Sequence, residues 1–234
     1  MKPVLETKLK ERTEAIKDFF GGNEREPLSD ETLERLFQFE ELMVKYRSAI
    51  REVTTKLEIL NDELSSSMNG NPIESIQSRV KRPYSIAKKL TRLNQPVTVD
   101  AIAENLNDVA GIRVICPFIN DIYKVADMLL MQDDVHLVRQ KDYIKHPKEN
   151  GYRSLHLVIE IPVFFSTKKE MIRVEIQIRT VAMDFWASLE HQIRYKNDSP
   201  EVQAIADELK DCADTIAQTD LRMQELRQRI TSGT

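Results

Sequence analysis

The chain has 234 residues, 41% hydrophobic and 31% charged, with a net charge of −4. This is enough apolar material for one ordinary domain, and the charge balance argues against a general nucleic-acid field. Only six glycines are present, and they form neither GxGxxG nor GxxxxGK[ST], so both glycine-loop nucleotide folds are excluded. Two distant cysteines without a CxxC rule out a disulfide framework and fit a reducing cytoplasm. No run of 18 apolar residues is present, and no signal-peptide core opens the chain, so no membrane is expected.

In chain order, helices are predicted over 4–20 and 29–66, separated by Gly21-Gly22-Asn23. In the second, Leu33, Leu36, Phe37, Phe39, Leu42, Met43, Tyr46 and Ile50 recur at helical spacing. Ser65 to Pro72 reads as a linker that ends an N-terminal helical arm, 1–70. The core, 71–197, alternates helices at 83–93, 99–106, 120–131 and 180–195 with strands at 111–116, 136–141, 154–165 and 171–179. A polar helix over 201–230 carries Val202, Ile205, Leu209, Cys212, Ile216, Leu221, Leu226 and Ile230, and marks 198–234 as a C-terminal segment suited to oligomerisation. The pattern is α+β, with helices around a mainly antiparallel or mixed sheet.

Four places carry chemistry. Between Gln77 and Arg92 stand Arg79, Lys81, Arg82, Lys88, Lys89 and Arg92 with no acid among them. Pro83 suits a first helical position and keeps Arg82 extended, so Arg79 and Lys81 should lie just ahead of a helix. Ser85, Lys88 or Lys89, and Arg92 then share one face, a phosphate cradle made without glycine. Asp108 stands at the mouth of the buried strand GIRVIC, where a carboxylate can hold a metal, and Arg113 sits inside that strand. In 171–179 the alternation puts Ile172, Val174, Ile176 and Ile178 on one face and Arg173, Glu175, Gln177 and Arg179 on the other. If the preceding strand pairs with it, His156 and Glu175 share that face. Gly151 allows a bend that presents Tyr152 at the sheet rim, where its ring could stack on a base. Each feature also has a plainer explanation, such as a solvated basic face, a turn aspartate or a packed tyrosine.

Taken together, RVKRPYSIAKK (79–89), DVAGIRV (108–114), KDYI (141–144), NGYRSLH (150–156), EIQIRT (175–180) and FWASLEH (185–191) resemble the synthetase domain of the RelA/SpoT alarmone enzymes over roughly 70–200. The length leaves no room for the further domains of the long enzymes, so the resemblance is to a small stand-alone synthetase, nearer the RelP than the RelQ type. It implies a nucleotidyltransferase-like mixed sheet of about five strands. The implied reaction moves the β,γ-pyrophosphate of ATP to the ribose 3′-hydroxyl of GDP or GTP and releases AMP. By motif match, Arg79 and Arg113 would sandwich adenine, and Lys81, Ser85, Lys89 and Arg92 would hold the ATP phosphates. Asp108 would ligate Mg²⁺, and Glu175 would act on the hydroxyl and touch the metal. Tyr152 would stack on guanine, with Lys141, Asn150, His156 and Gln177 lining the acceptor side. Arg139-Gln140-Lys141-Asp142 resembles a loop that bears on acceptor choice. Relatives suggest a cytoplasmic homotetramer. Imidazole at His156 would add affinity for an inhibitory transition metal. A metal-dependent nucleotidyltransferase and a non-catalytic nucleotide- or RNA-binding regulator are the rival readings.

Overall fold

The computed structural model describes residues 30–66, 70–194 and 202–232. The helix expected over 4–20 and the centre of the expected linker lie outside these. The first element, helix α1 (Asp30–Ser66), is followed by strand β1 (Ser75–Val80) and helices α2 (Pro83–Arg92) and α3 (Val99–Asn105). Strand β2 (Ala110–Cys116), helix α4 (Ile119–Leu130) and strands β3 (His136–Asp142), β4 (Leu155–Phe164) and β5 (Lys169–Thr180) come next. Helices α5 (Val181–Arg194) and α6 (Val202–Ser232) complete the order.

The five strands form one mixed sheet in the order β1-β2-β5-β4-β3. Only β2 and β5 run parallel; the other three pairings are antiparallel. The expected alternation sets the two faces. Ile112, Val114, Val174, Ile176, Ile178, Leu157 and Ile159 are fully or almost fully buried on one side. Against them lie Phe39, Met43, Tyr46, Val53 and Leu57 of α1, together with Ile122, Val125 and Leu129 of α4. Thus α1 supplies part of the core on the closed face of the sheet.

The strand β1 was not anticipated. Ile76 and Val80 alternate with Gln77 and Arg79, but the span has few apolar residues and is sandwiched between a turn and a basic run. Only pairing with β2 satisfies its backbone, with Arg79 opposite Gly111 and Gln77 opposite Arg113. Helix α2 begins as its sequence predicts: Arg82 is extended (φ −64°, ψ 143°) and Pro83 takes the first turn. Helix α3 is capped by Thr98, whose side chain accepts from the Ala101 amide.

The face of α6 also differs from expectation. Leu221, Leu226 and Ile230 point outward, and Cys212 is exposed, whereas Asp220 and Gln224 are buried. The cause is the N-terminus of α4, which has no capping side chain of its own. Gln224 accepts from the Asn120 amide there (3.1 Å), and Arg227 pairs with Asp121. Polar residues therefore face inward at this end of α6.

Candidate active site

The open face of the sheet gathers side chains from all five strands. The register aligns Gly111 with Glu175 and Arg113 with Gln177. It places His156 beside Gln177, and Lys141 beside His156. Arg79, Asp108, Gly111, Arg113, Glu175 and Gln177 all line one cleft of ≈ 360 Å³.

On one side of this cleft the chemistry is ionic. Asp108 stands just ahead of β2, and its Oδ2 receives Lys81 Nζ and Lys89 Nζ, both at 2.8 Å. Burial raises its carboxyl pKa, but the two lysine hydrogen bonds outweigh burial and leave it below the usual carboxylate range. The other oxygen, Oδ1, is buried with no partner. An orphaned hard oxygen is costly in a finished structure and suits a cation. Glu175 lines the same cleft, so the donor set fits Mg²⁺, which takes one or two carboxylates and completes its shell with water and phosphate.

Arg79 and Arg113 are diagonal neighbours across β1 and β2, with Gly111 between them. Diagonal positions are about 7–8 Å apart, room for a flat ring between two guanidinium planes. A Cβ on Gly111 would make only ordinary contacts, at 3.7 Å from the Arg79 carbonyl. Nothing in the protein itself requires that glycine, and its missing side chain keeps the floor between the arginines open.

On the other side a directional hydrogen-bond chain runs through one buried arginine. Arg179, only 6% exposed in its side chain, donates to the Tyr152 hydroxyl (2.6 Å) and to Gln177 Oε1 (2.8 Å). Gln177 Nε2 in turn donates to Glu175 Oε2 (3.0 Å). The Tyr152 hydroxyl lies 2.8 Å from His156 Nε2. Burial, then Arg179 and the lysines nearby, push the His156 pKa down to about 3, so the ring is neutral. Nε2 and the Tyr152 hydroxyl share one hydrogen bond, which leaves Nδ1 as the other ring nitrogen. That nitrogen faces Glu175 Oε1 at 4.0 Å.

Asp184 joins the two sides and was not singled out in the sequence. From the first turn of α5, its Oδ1 meets Arg179 Nη1 (3.1 Å) and Arg113 Nη1 (3.4 Å). Burial and the cations Arg179 and Arg79 lower the Arg113 pKa, partly offset by Asp184. Arg179 and Asp184 carried one sequence signal, an arginine at the end of an alternating strand with an acid five residues on.

The remaining expected residues are placed less centrally. Ser85 precedes and Arg92 follows Lys89 along α2, with Arg92 exposed at its last turn. Asn150 is turned to α5: its Nδ2 donates to Glu190 and its Oδ1 accepts from the Tyr152 amide, so it shapes the loop rather than the cleft. The Tyr152 ring is not bare at the rim. Lys148 Nζ lies 4.5 Å from its centre, Arg179 lies 5.0 Å away, and Tyr143 meets it edge-on. Asp142 accepts from Tyr123 and from the Ile144 and Lys145 amides, so it ends β3 as a turn residue. No cluster of three histidine, cysteine or carboxylate ligands occurs among the described residues, and the carboxylate beside His156 is Glu175.

Comparison with known proteins agrees with this arrangement. Residues 78–200 match the family described as the region found in RelA / SpoT proteins. The GTP pyrophosphokinase YwaC of Bacillus subtilis is 44% identical over 81% of this chain and 90% of its own length. The GTP pyrophosphokinase YjbM of the same organism is 36% identical over 82% of this chain and 90% of its own. The crystal structure of small alarmone synthetase 1 from B. subtilis, bound to its product pppGpp, superimposes with a TM-score of 0.75 at 36% identity, covering 82% of this chain and 98% of that one. A five-stranded sheet with one polar face, a family match over 78–200, and relatives similar over most of the chain make this protein a member of the RelA/SpoT family.

Proposed function

We propose that this chain is a GTP pyrophosphokinase, transferring the β,γ-pyrophosphate of ATP to the ribose 3′-hydroxyl of GDP or GTP, with AMP as the leaving group. One observation supports it above others: Asp108 and Glu175 line one cleft, with Lys81 and Lys89 bonded to Asp108 on one side and the Gln177–Arg179–Tyr152 hydrogen-bond chain running on from Glu175 on the other.

In this reading ATP occupies the β1–β2 side. Arg79 and Arg113 clamp the adenine, and Lys81 and Lys89 leave Asp108 for the phosphates, with Ser85 and Arg92 extending the cradle along α2. The acceptor occupies the β4–β5 side, its base against Tyr152, with Lys141, His156 and Gln177 around it. Asp108, through its unpartnered Oδ1, and Glu175 would hold Mg²⁺, which when bound supplies charge neutralisation for the phosphates. Gln177 fixes one oxygen of Glu175 and leaves the other to take the 3′-hydroxyl proton. The hydroxyl oxygen then bonds to the β-phosphorus as the bond to the α,β-bridging oxygen breaks. Most of the rate comes from in-line positioning of the two nucleotides.

The assembly is a cytoplasmic homotetramer through its terminal helices. Exposed Leu221, Met223 and Leu226 on α6 favour such contacts, and no described helix is long and apolar enough to cross a membrane.

The test is γ-labelled ATP with Mg²⁺ and GDP or GTP. Label on the guanine nucleotide with AMP as co-product is expected. Release of pyrophosphate with transfer of the adenylyl group would make the protein a nucleotidyltransferase instead.

A further inference from the structure

We infer that helix α6 governs affinity for the acceptor nucleotide by clamping the loop that carries Tyr152, with Arg153 and Asp214 as positioning residues. The inference rests on the acceptor side assigned above, and goes on to name what holds it in place.

Tyr152 is fastened from both of its chain neighbours to the same helix. On one side, Gly151 has φ +85°, and a Cβ there would come within 2.5 Å of the Ala213 Cβ. Its backbone therefore lies directly on α6, a position closed to any residue with a side chain. On the other side, the Arg153 guanidinium spans the junction. Nη1 donates to the Gly151 carbonyl (2.9 Å) and to the Ala213 carbonyl (3.3 Å), while Nη2 pairs with Asp214 Oδ1 (2.9 Å). Arg153 is largely covered, with 17% of its side chain exposed. One guanidinium thus ties the loop to itself and to α6, the planar fork that arginine offers and lysine does not.

The loop has its own tight turn, closed by Gly151 N to Lys148 O (2.8 Å) and Lys148 N to Tyr152 O (3.2 Å). That turn shapes the segment but does not locate it relative to the sheet. Its backbone is located by α6 and by the Asn150–Glu190 contact to α5, while the Tyr152 hydroxyl reaches the sheet at Arg179 and His156. Helix α6 is itself held at Trp186, whose Nε1 donates to the Leu209 carbonyl (2.8 Å), and at Asp220, which accepts from Thr180 (2.6 Å). Thr180 immediately follows Arg179, the donor to the Tyr152 hydroxyl. Both ends of the Arg179–Tyr152 bond are therefore referenced to one helix, and a shift of α6 against the loop would misplace the Tyr152 ring and hydroxyl together. The Lys81–Asp108–Lys89 cluster makes no such contact with α6.

The experiment compares wild type, Asp214→Ala and Asp214→Glu in initial-rate kinetics, with GDP and GTP each varied against ATP. Asp214→Ala should raise the acceptor KM about three- to tenfold and leave the ATP KM within about twofold, the signature of lost binding on one side only. Asp214→Glu, which keeps a carboxylate for Arg153, should recover most of the loss. A second variant, Ala213→Val, wedges the contact with Gly151 and should act in the same direction. Parallel rises in both KM values, or no change in acceptor KM for both Asp214→Ala and Ala213→Val, would overturn the inference. Wild-type label transfer tests the pyrophosphokinase reading separately. Were it absent, calorimetric GDP affinity would still decide: weaker in Asp214→Ala than in wild type supports the clamp, and equal affinity refutes it.

Discussion

The two walls of the cleft are organised by opposite means. The ATP-side wall comes from one stretch, residues 79–113, and is held by charge: two lysines share one aspartate oxygen, with side chains 19–26% exposed. Such pairs are exchangeable, because phosphate oxygens can replace Asp108 at each ammonium group at little net cost. The acceptor-side wall is assembled from β4, β5, the 148–154 loop, α5 and α6. It is held by short directional bonds through an arginine with 6% exposure. A buried network of that kind is already in place before the nucleotide arrives. The contrast suggests that ATP reorganises its half of the cleft on binding, whereas the acceptor enters a half that is already formed.

The largest expected effect lies on the seam between the walls. Glu175→Gln keeps the shape and leaves an oxygen for the Gln177 amide, but cannot take a proton. Transfer should fall by about 10²–10⁴ with both nucleotides still bound. Turnover close to wild type, measured by label transfer, would remove Glu175 from the proton's path. Substitutions on the walls should then separate. Lys89→Ala should raise the ATP KM by about tenfold or more and spare the acceptor, since a phosphate contact to a charged group is worth about 1.5–3 kcal/mol. Tyr152→Ala should do the reverse, as stacking on a base is worth about 1–3 kcal/mol. If either variant moved both constants equally, the division into two walls would fail.

How far each wall could be read from the sequence follows from the same contrast. The ATP side is contiguous, so a basic run without acids, a proline at a helix start and Asp108 before a buried strand already outlined it. Even there β1 was missed, because Ser75–Val80 has too little apolar periodicity and becomes a strand only by pairing with β2. On the acceptor side, alternation correctly put Glu175, Gln177 and His156 on one face. It could not show that Asn150 turns to Glu190, that Arg179 reaches Tyr152, or that α6 buries Asp220 and Gln224 instead of Leu221 and Leu226. Those depend on which helix end meets which loop, and the spacing within one segment does not encode it.

A smaller effect, which tests whether the walls are independent at all, is expected at Asp184. Its single oxygen faces Arg113 on the ATP side and Arg179 on the acceptor side. Asp184→Asn preserves size but leaves neighbouring guanidiniums less compensated, so both KM values should rise together by about threefold to tenfold. A rise confined to one substrate would mean that the bridge serves only that wall and that the halves are energetically separate.

The smallest effect is an expected absence, and it bears on the preformed character of the acceptor wall. The folded-state pKa of His156 lies near 3, below the 6.5 of an unperturbed histidine, because burial and Arg179 disfavour its charged form. Between these values the unfolded chain binds a proton that the folded chain does not. The His156 contribution therefore destabilises the fold as pH falls through 6.5 toward 3 and is absent above 6.5. Its ring resonances in NMR should accordingly stay unchanged from pH 8 to 5, and the Tyr152-to-Nε2 hydrogen bond should persist throughout. In Tyr152→Phe the burial and the cations Arg179, Lys148, Lys141 and Arg139 that depress His156 all remain, so its titration should stay well below 6.5 even without the hydroxyl. A His156 that titrates near 6.5 in the wild-type protein would mean that burial and Arg179 do not hold the ring neutral, and the acceptor wall would then be as exchangeable as the ATP wall opposite it.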